Sequence, residues 1–432
     1  MYWIGFAVGW VALSMLTWLW IRKTLPTAVL LPAVVVLAVA LGLRLPLVLH
    51  TESQLSDDIY RYMGDGAMLN SGVNPYGQAP GDFFGTEEWP GSHINHPDVV
   101  SIYQPASQWV FALLHRLHRL IENDSNHRPY PDQVFRLGFV FFDLCVIALL
   151  LLKLQSDGRS LWWAALYAWH PLTVTEVGWS GHQDVIGIAA LLATLLLLEQ
   201  RSASDQGGRL RAVLAGLCFA LAFGVKPVVL PLALPLAWAM RSRPDLLLGT
   251  AVSTLLTLVG LYLPFALMEG GLWRMFDTGL IFAGYWRFNG SVHAVLGWAL
   301  ALFGAPPWLA NLLLGIIVVA VLVVLIRRRI DLYQTALVYL LACLLLSSTV
   351  HPWYLLWPLA LLPASFDRYP AWVVWVWSLT ISFSYAVLIA YRREGAAYEI
   401  SWWLKLIEYV PVYGILIWGL LRVGVRVASP KF

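Results

Sequence analysis

Long segments without any charged side chain are the feature that most constrains what this chain can fold into. They cover residues 4–21, 28–43, 246–267, 309–326 and 372–390. At a rise of about 1.5 Å per residue, helices through these segments approach or reach the ~30 Å thickness of the hydrocarbon core of a bilayer. The apolar runs are continuous and do not alternate with polar residues, which excludes an outer-membrane β-barrel. The sequence therefore predicts an all-α polytopic membrane protein.

The composition supports this prediction, because the chain has too little charge to cover a surface exposed to water. Of its 432 residues, 59% are hydrophobic and 12% are charged, whereas soluble domains carry about 25% charged residues. A soluble enzyme, a disordered chain and a collagen-like fibre are excluded. The 28 Lys and Arg residues nearly balance the 25 Asp and Glu residues, so no nucleic acid is expected as a partner. Cys145, Cys218 and Cys343 each lie inside an apolar run and are expected to be packing residues.

Basic residues in short connections predict the orientation of the chain, because they favour the cytoplasmic side. If Arg22 and Lys23 are cytoplasmic, the other short basic connections fall on the same side, provided that the chain crosses the membrane thirteen times. The N-terminus is then outside and the C-terminus is cytoplasmic. No basic residue precedes the first apolar segment, so we expect a retained helix and not a cleaved signal peptide.

This topology predicts a single transmembrane domain over residues 1–432 with two large outer loops, at 44–133 and at 269–307. Residues 104–120 within the first loop are apolar enough to cross the membrane, but they contain two histidines and two arginines. We therefore expect an amphipathic helix that lies at the outer interface. Most acidic residues fall on the outer side, which places the predicted function there.

The sharpest polar cluster follows directly on the second predicted span. Asp57 and Asp58 are adjacent carboxylates, which could serve as a general base and its partner. If the segment is helical, Asp58 shares one face with Arg61 and Asp65. The alternative is a helix N-cap at Ser56 with solvated acids in the first turn, and both interpretations stay open from the local sequence.

A second polar group occupies the predicted outer ends of the fourth and fifth spans. Glu176, His182 and Asp184 lie close to hydrocarbon, where ionisable residues are costly and tend to mark a site. They could equally stabilise a turn or cap the fifth span. Gly178 and Gly181 indicate that backbone or ligand approaches closely here.

Basic and aromatic residues complete the predicted outer face. Lys226 has no acid near it in sequence, so we expect a lipid phosphate as its partner, with snorkelling to ordinary headgroups as the alternative. Arg287 and His351 could bind a phosphate from neighbouring loops. Asp143 is expected near the middle of the third span as a packing or network residue.

These polar residues belong to a series of short motifs that follow one another along most of the chain. The motifs are Asp57-Asp58-Ile59-Tyr60-Arg61-Tyr62, Asp65-Gly66, Asn74-Pro75-Tyr76, Asn95-His96-Pro97, Ile102-Tyr103-Gln104-Pro105, Gly181-His182-Gln183-Asp184, Val225-Lys226-Pro227, Trp286-Arg287-Phe288-Asn289-Gly290 and His351-Pro352-Trp353-Tyr354. In this order they resemble the bacterial GT-C superfamily of glycosyltransferases that use polyprenyl-phosphate sugars, in particular its mannosyltransferases. The resemblance implies a bundle of about eleven to thirteen transmembrane helices with interfacial helices in a large first periplasmic loop.

The resemblance also implies roles for individual residues. Asp57 or Asp58 corresponds to the catalytic base. The donor phosphate would be bound by basic residues of the outer cavity, for which the candidates are Lys226, Arg287, His182 and His351. The candidates for other substrate contacts are Arg61, Tyr62, Asp65, His96, Tyr103, Asp184, Asn289, Trp353 and Tyr354. Some relatives use a divalent metal at the first loop, and Asp57, Asp58 and Asp65 could hold one.

The implied reaction transfers a sugar, with mannose the first choice, from a polyprenyl-phosphate donor to a hydroxyl of a glycolipid or glycan acceptor. The donor carries its own leaving group, in keeping with the absence from the sequence of a nucleotide-binding loop or glycine fingerprint. A single displacement with an Asp base would invert the anomeric configuration. The rival hypotheses are a transporter or flippase of a lipid-linked substrate and an oligosaccharide ligase. A transporter would carry polar residues near the bilayer midplane, where Asp143 stands nearly alone.

Overall fold

The computed structural model describes residues 2–19, 21, 30–52, 55–85, 91–121, 132–199, 205–394 and 398–428. Regular structure over these residues is helical, and no β-strand occurs among them apart from isolated bridges to Thr349. The first α-helices in chain order are α1 (Tyr2–Leu19), α2 (Leu30–His50), α3 (Asp58–Asn70), α4 (Pro80–Phe84), α5 (Pro105–Ile121), α6 (Gln133–Ser156), α7 (Ala165–Ala168), α8 (Pro171–Thr173), α9 (Asp184–Glu199) and α10 (Asp205–Phe223). They are followed by α11 (Ala233–Ala239), α12 (Pro244–Leu267), α13 (Trp273–Tyr285), α14 (Val292–Ala301), α15 (Trp308–Arg327), α16 (Leu332–Leu346), α17 (Leu356–Leu359), α18 (Leu362–Ser365), α19 (Tyr369–Thr380), α20 (Tyr385–Glu394) and α21 (Trp402–Ala428).

Shorter helical segments of other types link these helices. The 3₁₀ segments are Gly91–His93, Leu161–Ala164, Pro227–Leu232, Pro352–Leu355 and Ile381–Ser384, and Val174–Trp179 forms a π-helix. The chain divides into two compact units, each treated separately below. The first unit comprises Met1–Val29, Leu154–Leu172 and Trp286–Phe432. The second unit comprises Leu30–Lys153 and Thr173–Tyr285.

The prediction of an all-α polytopic membrane protein is confirmed. Within the described ranges, seven helical stretches are long and apolar enough to cross a membrane. They are Tyr2–Leu19, Leu30–His50, Gln133–Ser156, Pro244–Leu267, Trp308–Arg327, Tyr369–Tyr391 and Trp402–Arg422. The total of thirteen crossings stays a prediction, and Arg22 and Lys23, on which the orientation depends, lie outside the described residues.

The surface of the long helices shows why a bilayer suits them better than water. On α15, Leu312, Ile316 and Val319 are between 50% and 56% exposed. Exposed apolar faces of this extent are rare on soluble monomers and match lipid chains.

In the second unit, α10 packs against both α9 and α12, and α3 packs against α5. The contact between α3 and α5 is close because residue 66 is glycine: a Cβ there would lie 2.5 Å from the carbonyl oxygen of Phe111. The ring of Tyr62 stacks on that of Phe111 with centroids 4.7 Å apart. These contacts fix the helix that begins at Asp58.

A fully buried ion pair joins α2 to α6. Arg44 Nε lies 2.8 Å from Asp143 Oδ2, and neither side chain has any exposed surface. Asp143 therefore has the network role expected from the sequence. Helix α2 continues through Arg44 to His50, so the helix extends past the boundary of 44 expected for the first loop.

The segments expected to form the outer loops contain short helices. Residues 104–120 form α5, and the 269–307 segment contains α13 and α14. The location of these helices at a membrane interface stays a prediction. The first predicted loop also contributes Tyr76, which packs on Phe265 of α12 and Met275 of α13 in the core of the second unit.

In the first unit, α19 packs against α21 and α15 packs against α16. His170, which precedes α8, shares a hydrogen bond of 2.9 Å between its Nε2 and Ser378 Oγ on α19. Its ring also meets Trp375 edge-on, with centroids 5.2 Å apart. These contacts hold the 154–172 segment to α19.

Candidate active site

The adjacent carboxylates lie at the N-terminus of α3. The N-cap residue is Asp57 and the helix begins at Asp58, while Ser56 Oγ accepts a hydrogen bond of 3.2 Å from the Asp58 amide. Ser56 thus supports the first turn, but it is not the N-cap considered from the sequence. The Asp58 side chain is 19% exposed. A helix N-terminus attracts negative charge, so this position suits carboxylate side chains.

One amide group bridges the two aspartates. Asn95 Nδ2 donates to Asp57 Oδ1 at 3.0 Å and to Asp58 Oδ1 at 2.8 Å. Asn95 was not predicted as a site residue. Within the Asn95-His96-Pro97 motif, the sequence analysis assigned a role to His96 alone. His96 is exposed, has a left-handed backbone conformation with φ of 48°, and offers its carbonyl oxygen to Arg61. The positive φ was not evident from a histidine in sequence.

His182 faces Asp58 from the other side. Its Nε2 lies 3.7 Å from Asp58 Oδ2, and its Nδ1 lies 2.7 Å from Glu176 Oε2. Glu176 is carried by the π-helix, and the His182 amide donates to the Glu176 carbonyl oxygen at 2.8 Å. Gly181 makes this turn with φ of +70°, and a Cβ there would lie 2.8 Å from Cγ of Arg136. Gly181 is therefore closely approached by the Arg136 side chain of the protein itself and not by a ligand.

The charges around His182 determine its protonation. Burial alone would lower the pKa of His182, but the carboxylates of Glu176 and Asp58 outweigh burial and raise it to about 9. Burial raises the pKa of Glu176, an effect that His182 counters. At neutral pH the group behind Asp58 is an imidazolium.

Lys226 has a protein partner, which corrects the expectation that a lipid phosphate would be needed as one. Its Nζ lies 2.6 Å from Oδ1 of Asp184, the first residue of α9. The two residues are far apart in sequence, which is why inspection of the neighbours of Lys226 found no acid. A quarter of the Lys226 side chain is exposed, whereas Asp184 is almost completely buried.

Arg61 and Asp65 form a buried ion pair one turn apart on α3. Arg61 Nε lies 2.8 Å from Asp65 Oδ1, and its NH2 donates to the carbonyl oxygen of Val99 at 2.8 Å. Asp65 Oδ2 accepts from Ser101 Oγ at 2.5 Å and from Gln108 Nε2 at 2.8 Å. The pair thereby holds the 95–101 segment, including Asn95, against α3.

A divalent metal shared by Asp57, Asp58 and Asp65 does not fit this arrangement. Both oxygens of Asp65 are engaged by protein donors, and Arg61 already supplies its counter-charge. Across the described parts of the chain, no group of three or more His, Cys, Asp or Glu side chains is placed to hold a metal ion.

Two tyrosines lie near the carboxylates. The rings of Tyr62 and Tyr103 meet edge-on with centroids 5.0 Å apart. Burial raises the pKa of both hydroxyls well above the usual value, and the negative charge of Asp58 adds to this. Both stay protonated at neutral pH and act as neutral hydrogen-bonding groups.

The remaining predicted residues belong to the first unit. Arg287 lines a cavity of about 400 Å³ together with Asn289, His293, Glu399 and Lys405, and most of the other lining residues are apolar. A volume of this size is in the range of small-molecule sites. Arg287 and Glu399 are exposed, whereas Asn289 and His293 are buried.

Asn289 is held by a carboxylate that the sequence analysis overlooked. Glu408 on α21 accepts from Asn289 Nδ2 with both oxygens, each at 3.0 Å, and from Trp377 Nε1 at 2.7 Å. Tyr409 OH donates to the Asn289 carbonyl oxygen at 2.6 Å. A glutamate within a long, mostly apolar helix was the available signal, since such residues need a partner.

His351 lies in a stack of aromatic rings. It is parallel to Trp353 with centroids 4.4 Å apart and to Phe288 at 4.6 Å, and Tyr354 meets it edge-on at 5.3 Å. The structure thus brings His351, Trp353 and Tyr354 together. His351 is 4% exposed, so its ring faces contact protein.

Fold and site together define a multi-pass helical membrane protein with a carboxylate pair and two cations collected at helix ends. The family model described as alpha-(1->6)-mannopyranosyltransferase, N-terminal domain, matches residues 1–242, which is more than half of the chain. The chain belongs to this family, a GT-C mannosyltransferase family. Membership supports a glycosyltransferase, and the resemblance noted from the motifs is confirmed at the family level. Comparison with curated proteins and with solved structures gave no match.

Proposed function

We propose that this protein transfers mannose from a polyprenyl-phosphate donor to a hydroxyl of a glycolipid or glycan acceptor, on the outer face of a bacterial inner membrane. Family membership supports the mannosyl transfer. A lipid-linked donor is supported by the fold, because a multi-pass membrane protein meets such substrates within the bilayer. The proposed topology has thirteen crossings, with the N-terminus outside and the C-terminus cytoplasmic.

The observation that carries the proposal is the setting of Asp58. Its carboxylate lies at a helix N-terminus, is oriented by Asn95 and stands beside the His182 imidazolium, yet it keeps an exposed surface. A general base must be within hydrogen-bond reach of the proton that it removes, and of the two aspartates Asp58 is the one that lies beside His182. We therefore assign Asp58 as the base and Asp57 as its neighbour in the Asn95 bridge.

The donor phosphate needs cations that can reach its oxygens. Lys226 is one candidate: an ammonium has three N–H donors, and its partly exposed side chain is held in place by Asp184. Arg287 is a second candidate, since it lines the cavity of the first unit with Lys405. Asn289 lines the same cavity, and among the described residues its Oδ1 has no hydrogen-bond partner, so it could accept from a sugar hydroxyl.

In the proposed reaction, Asp58 removes the proton of the acceptor hydroxyl while the new bond to the anomeric carbon forms. The bond from that carbon to the phosphate oxygen breaks, and its electron pair leaves with the polyprenyl phosphate. Lys226, which belongs to the same unit as Asp58, stabilises the departing phosphate. A single displacement inverts the anomeric configuration.

A donor screen tests the proposal. Purified full-length protein in vesicles is given a panel of polyprenyl-phosphate sugars with a mannosylated glycolipid acceptor. The expected result is release of polyprenyl phosphate from the mannosyl donor alone and a product of inverted configuration. Movement of the intact donor across the vesicle without cleavage would support a transporter instead, and transfer of a whole preassembled glycan would support a ligase.

A further inference from the structure

We infer that Glu176 and His182 are positioning residues for the proposed reaction: this buried pair holds a positive charge against Asp58 and so keeps the Asp58 carboxylate oriented toward the acceptor. The inference rests on the assignment of Asp58 as the base. It gives His182 a different task from the binding of the donor phosphate.

Geometry argues for this task. His182 has no exposed surface, and its two ring nitrogens are directed at two carboxylates, with Glu176 at 2.7 Å and Asp58 at 3.7 Å. A phosphate would have to displace one of them. Glu176 is fully buried as well, and an isolated carboxylate there would be very costly. The charge of Glu176 is therefore balanced by the imidazolium of His182, whose Nε2 is the ring nitrogen nearer to Asp58.

The local fold is built to keep this alignment. Glu176 lies in the π-helix Val174–Trp179, which is wider than an α-helix. Its side chain therefore points in a different direction from the one that an α-helix would give it. Gly181 then reverses the chain in a conformation that other residues rarely adopt. Arg136 connects this turn to the end of α2. Its NH1 donates to the carbonyl oxygen of Leu47 at 3.0 Å and to that of Gly178 at 3.4 Å.

Other charged groups around the pair are already matched. Asp184, which adds to the negative potential at Glu176, is paired with Lys226. Arg136 is paired with Asp132 at 2.9 Å. The charged groups on the elements packed against the pair are Asp58 on α3, Arg44 on α2, Asp143, Arg136 and Asp132 at α6, Asp184 on α9 and Lys226 after α10. Glu176 accordingly makes the largest contribution to the charge of His182, and Asp58 adds to it.

The consequence for the reaction concerns the proton on Asp58. Because His182 already carries protons on both ring nitrogens, it does not take the proton that Asp58 removes from the acceptor, and Asp58 later releases that proton to water. What the imidazolium does is to hold the Asp58 carboxylate in position by charge attraction across 3.7 Å. Activity should therefore fall when His182 becomes neutral, with an alkaline limb near pH 9.

The test is the pH profile of kcat/KM for Glu176→Gln. Without the Glu176 charge, burial dominates and the pKa of His182 drops below its usual value of 6.5. The expected result is a shift of the alkaline limb by more than 2 pH units, so that the ratio of activity at pH 8 to activity at pH 6 falls by at least about tenfold. A merely structural role would lower activity by the same factor at every pH, and that parallel loss would overturn the inference.

A matched control is available in the same unit. Glu199→Gln makes the same chemical change in the ion pair with Lys153, at the end of α9 opposite to Asp184. Its pH profile should superimpose on that of the unchanged protein. Glu176→Asp, which keeps the charge, should restore the alkaline limb toward pH 9.

A second measurement decides the matter if Glu176→Gln fails to fold. The ¹⁵N shifts of the His182 ring, assigned with His182→Asn, report its protonation in the unchanged protein. An imidazolium that persists above pH 8 supports the inference, and titration at or below pH 6.5 overturns it. Because this readout needs no donor, it separates failure of the inference from failure of the proposed function, which would be absence of mannosyl transfer at any pH.

Discussion

The two units differ in the partners of their buried carboxylates. In the second unit, the carboxylates of Asp58, Glu176 and Asp184 meet cationic partners, and the cluster keeps partial exposure at Asp58. In the first unit, Glu408 is enclosed and accepts from neutral donors, the amide of Asn289 and the indole of Trp377. A carboxylate with exposed surface can reach a substrate hydroxyl, whereas both oxygens of Glu408 are already engaged by protein donors or enclosed. The difference fits the proposal that the cluster at Asp58 reacts, whereas Glu408 holds Asn289 in place.

The largest expected effect is on catalysis in the second unit. Asp58→Asn removes the proposed base, and general base catalysis contributes about 10²–10⁴-fold. We expect kcat to fall by a factor in that range, while expression and the unfolding temperature change little. Steady-state kinetics with the mannosyl donor measures this.

Asp57→Asn is the matched control, because it changes the neighbouring carboxylate in the same Asn95 bridge. We expect a loss of less than about tenfold, since the bridge to Asp58 remains. If Asp58→Asn keeps full activity and Asp57→Asn does not, the roles of the two aspartates are exchanged.

The next effect is on stability in the first unit. Glu408→Leu leaves Asn289 Nδ2 and Trp377 Nε1 buried without an acceptor, and each such group costs about 1–3 kcal/mol. We expect the free energy of unfolding to fall by about 2–6 kcal/mol. Glu399→Leu changes an exposed glutamate in the same unit and should stay within about 0.5 kcal/mol. Equal stability of the two variants would remove the anchoring role of Glu408.

The third effect is a pH dependence of stability confined to the second unit. The folded-state pKa of His182, about 9, is raised above the unfolded value of 6.5. Its contribution to stability is therefore fully present below about pH 6.5 and is lost as pH rises through about 9. At about 1.4 kcal/mol per pKa unit, the contribution is on the order of 3 kcal/mol.

Thermal unfolding between pH 6 and pH 10 measures this dependence. The unchanged protein should lose stability over that range, and His182→Asn should show a much flatter profile. A slope that is the same in both proteins would mean that His182 does not carry it.

The smallest effect compares two glycines. Gly66→Ala forces a methyl group against the backbone of α5, which typically costs about 1–3 kcal/mol. Gly297→Ala on α14 meets no atom within 4 Å, and alanine favours a helix by up to about 1 kcal/mol. We expect the first variant to unfold at a lower temperature than the unchanged protein and the second at the same or a higher temperature. Destabilisation by Gly297→Ala would indicate that the space beside α14 is filled.

Much of the fold could be predicted because hydrocarbon imposes a local rule. Uncharged runs had to be helices of membrane length, and the segments at 309–326 and 246–267 became α15 and α12 nearly residue for residue. The aspartates at 57 and 58 were also evident, because adjacent carboxylates after a span are unusual.

The partners of these residues could not be predicted, since each pair joins distant parts of the chain. Nothing near Lys226 pointed to Asp184, and nothing in the Asn95-His96-Pro97 motif said that the amide rather than the imidazole would meet the aspartates. The link from Asn289 to Glu408 spans 119 residues. Such pairings depend on how helices pack, which side-chain periodicity alone does not specify.

The ion pair between Arg44 and Asp143 constrains how the protein is made. Each charge alone in a membrane-inserted helix costs up to about 3 kcal/mol, and the two helices emerge from the ribosome nearly a hundred residues apart. During synthesis, α2 is therefore inserted before α6, and the charge of Arg44 has no Asp143 partner until α6 follows. Biogenesis should stall at this stage when the aspartate is missing, and the unfinished chain would be a target for membrane quality control.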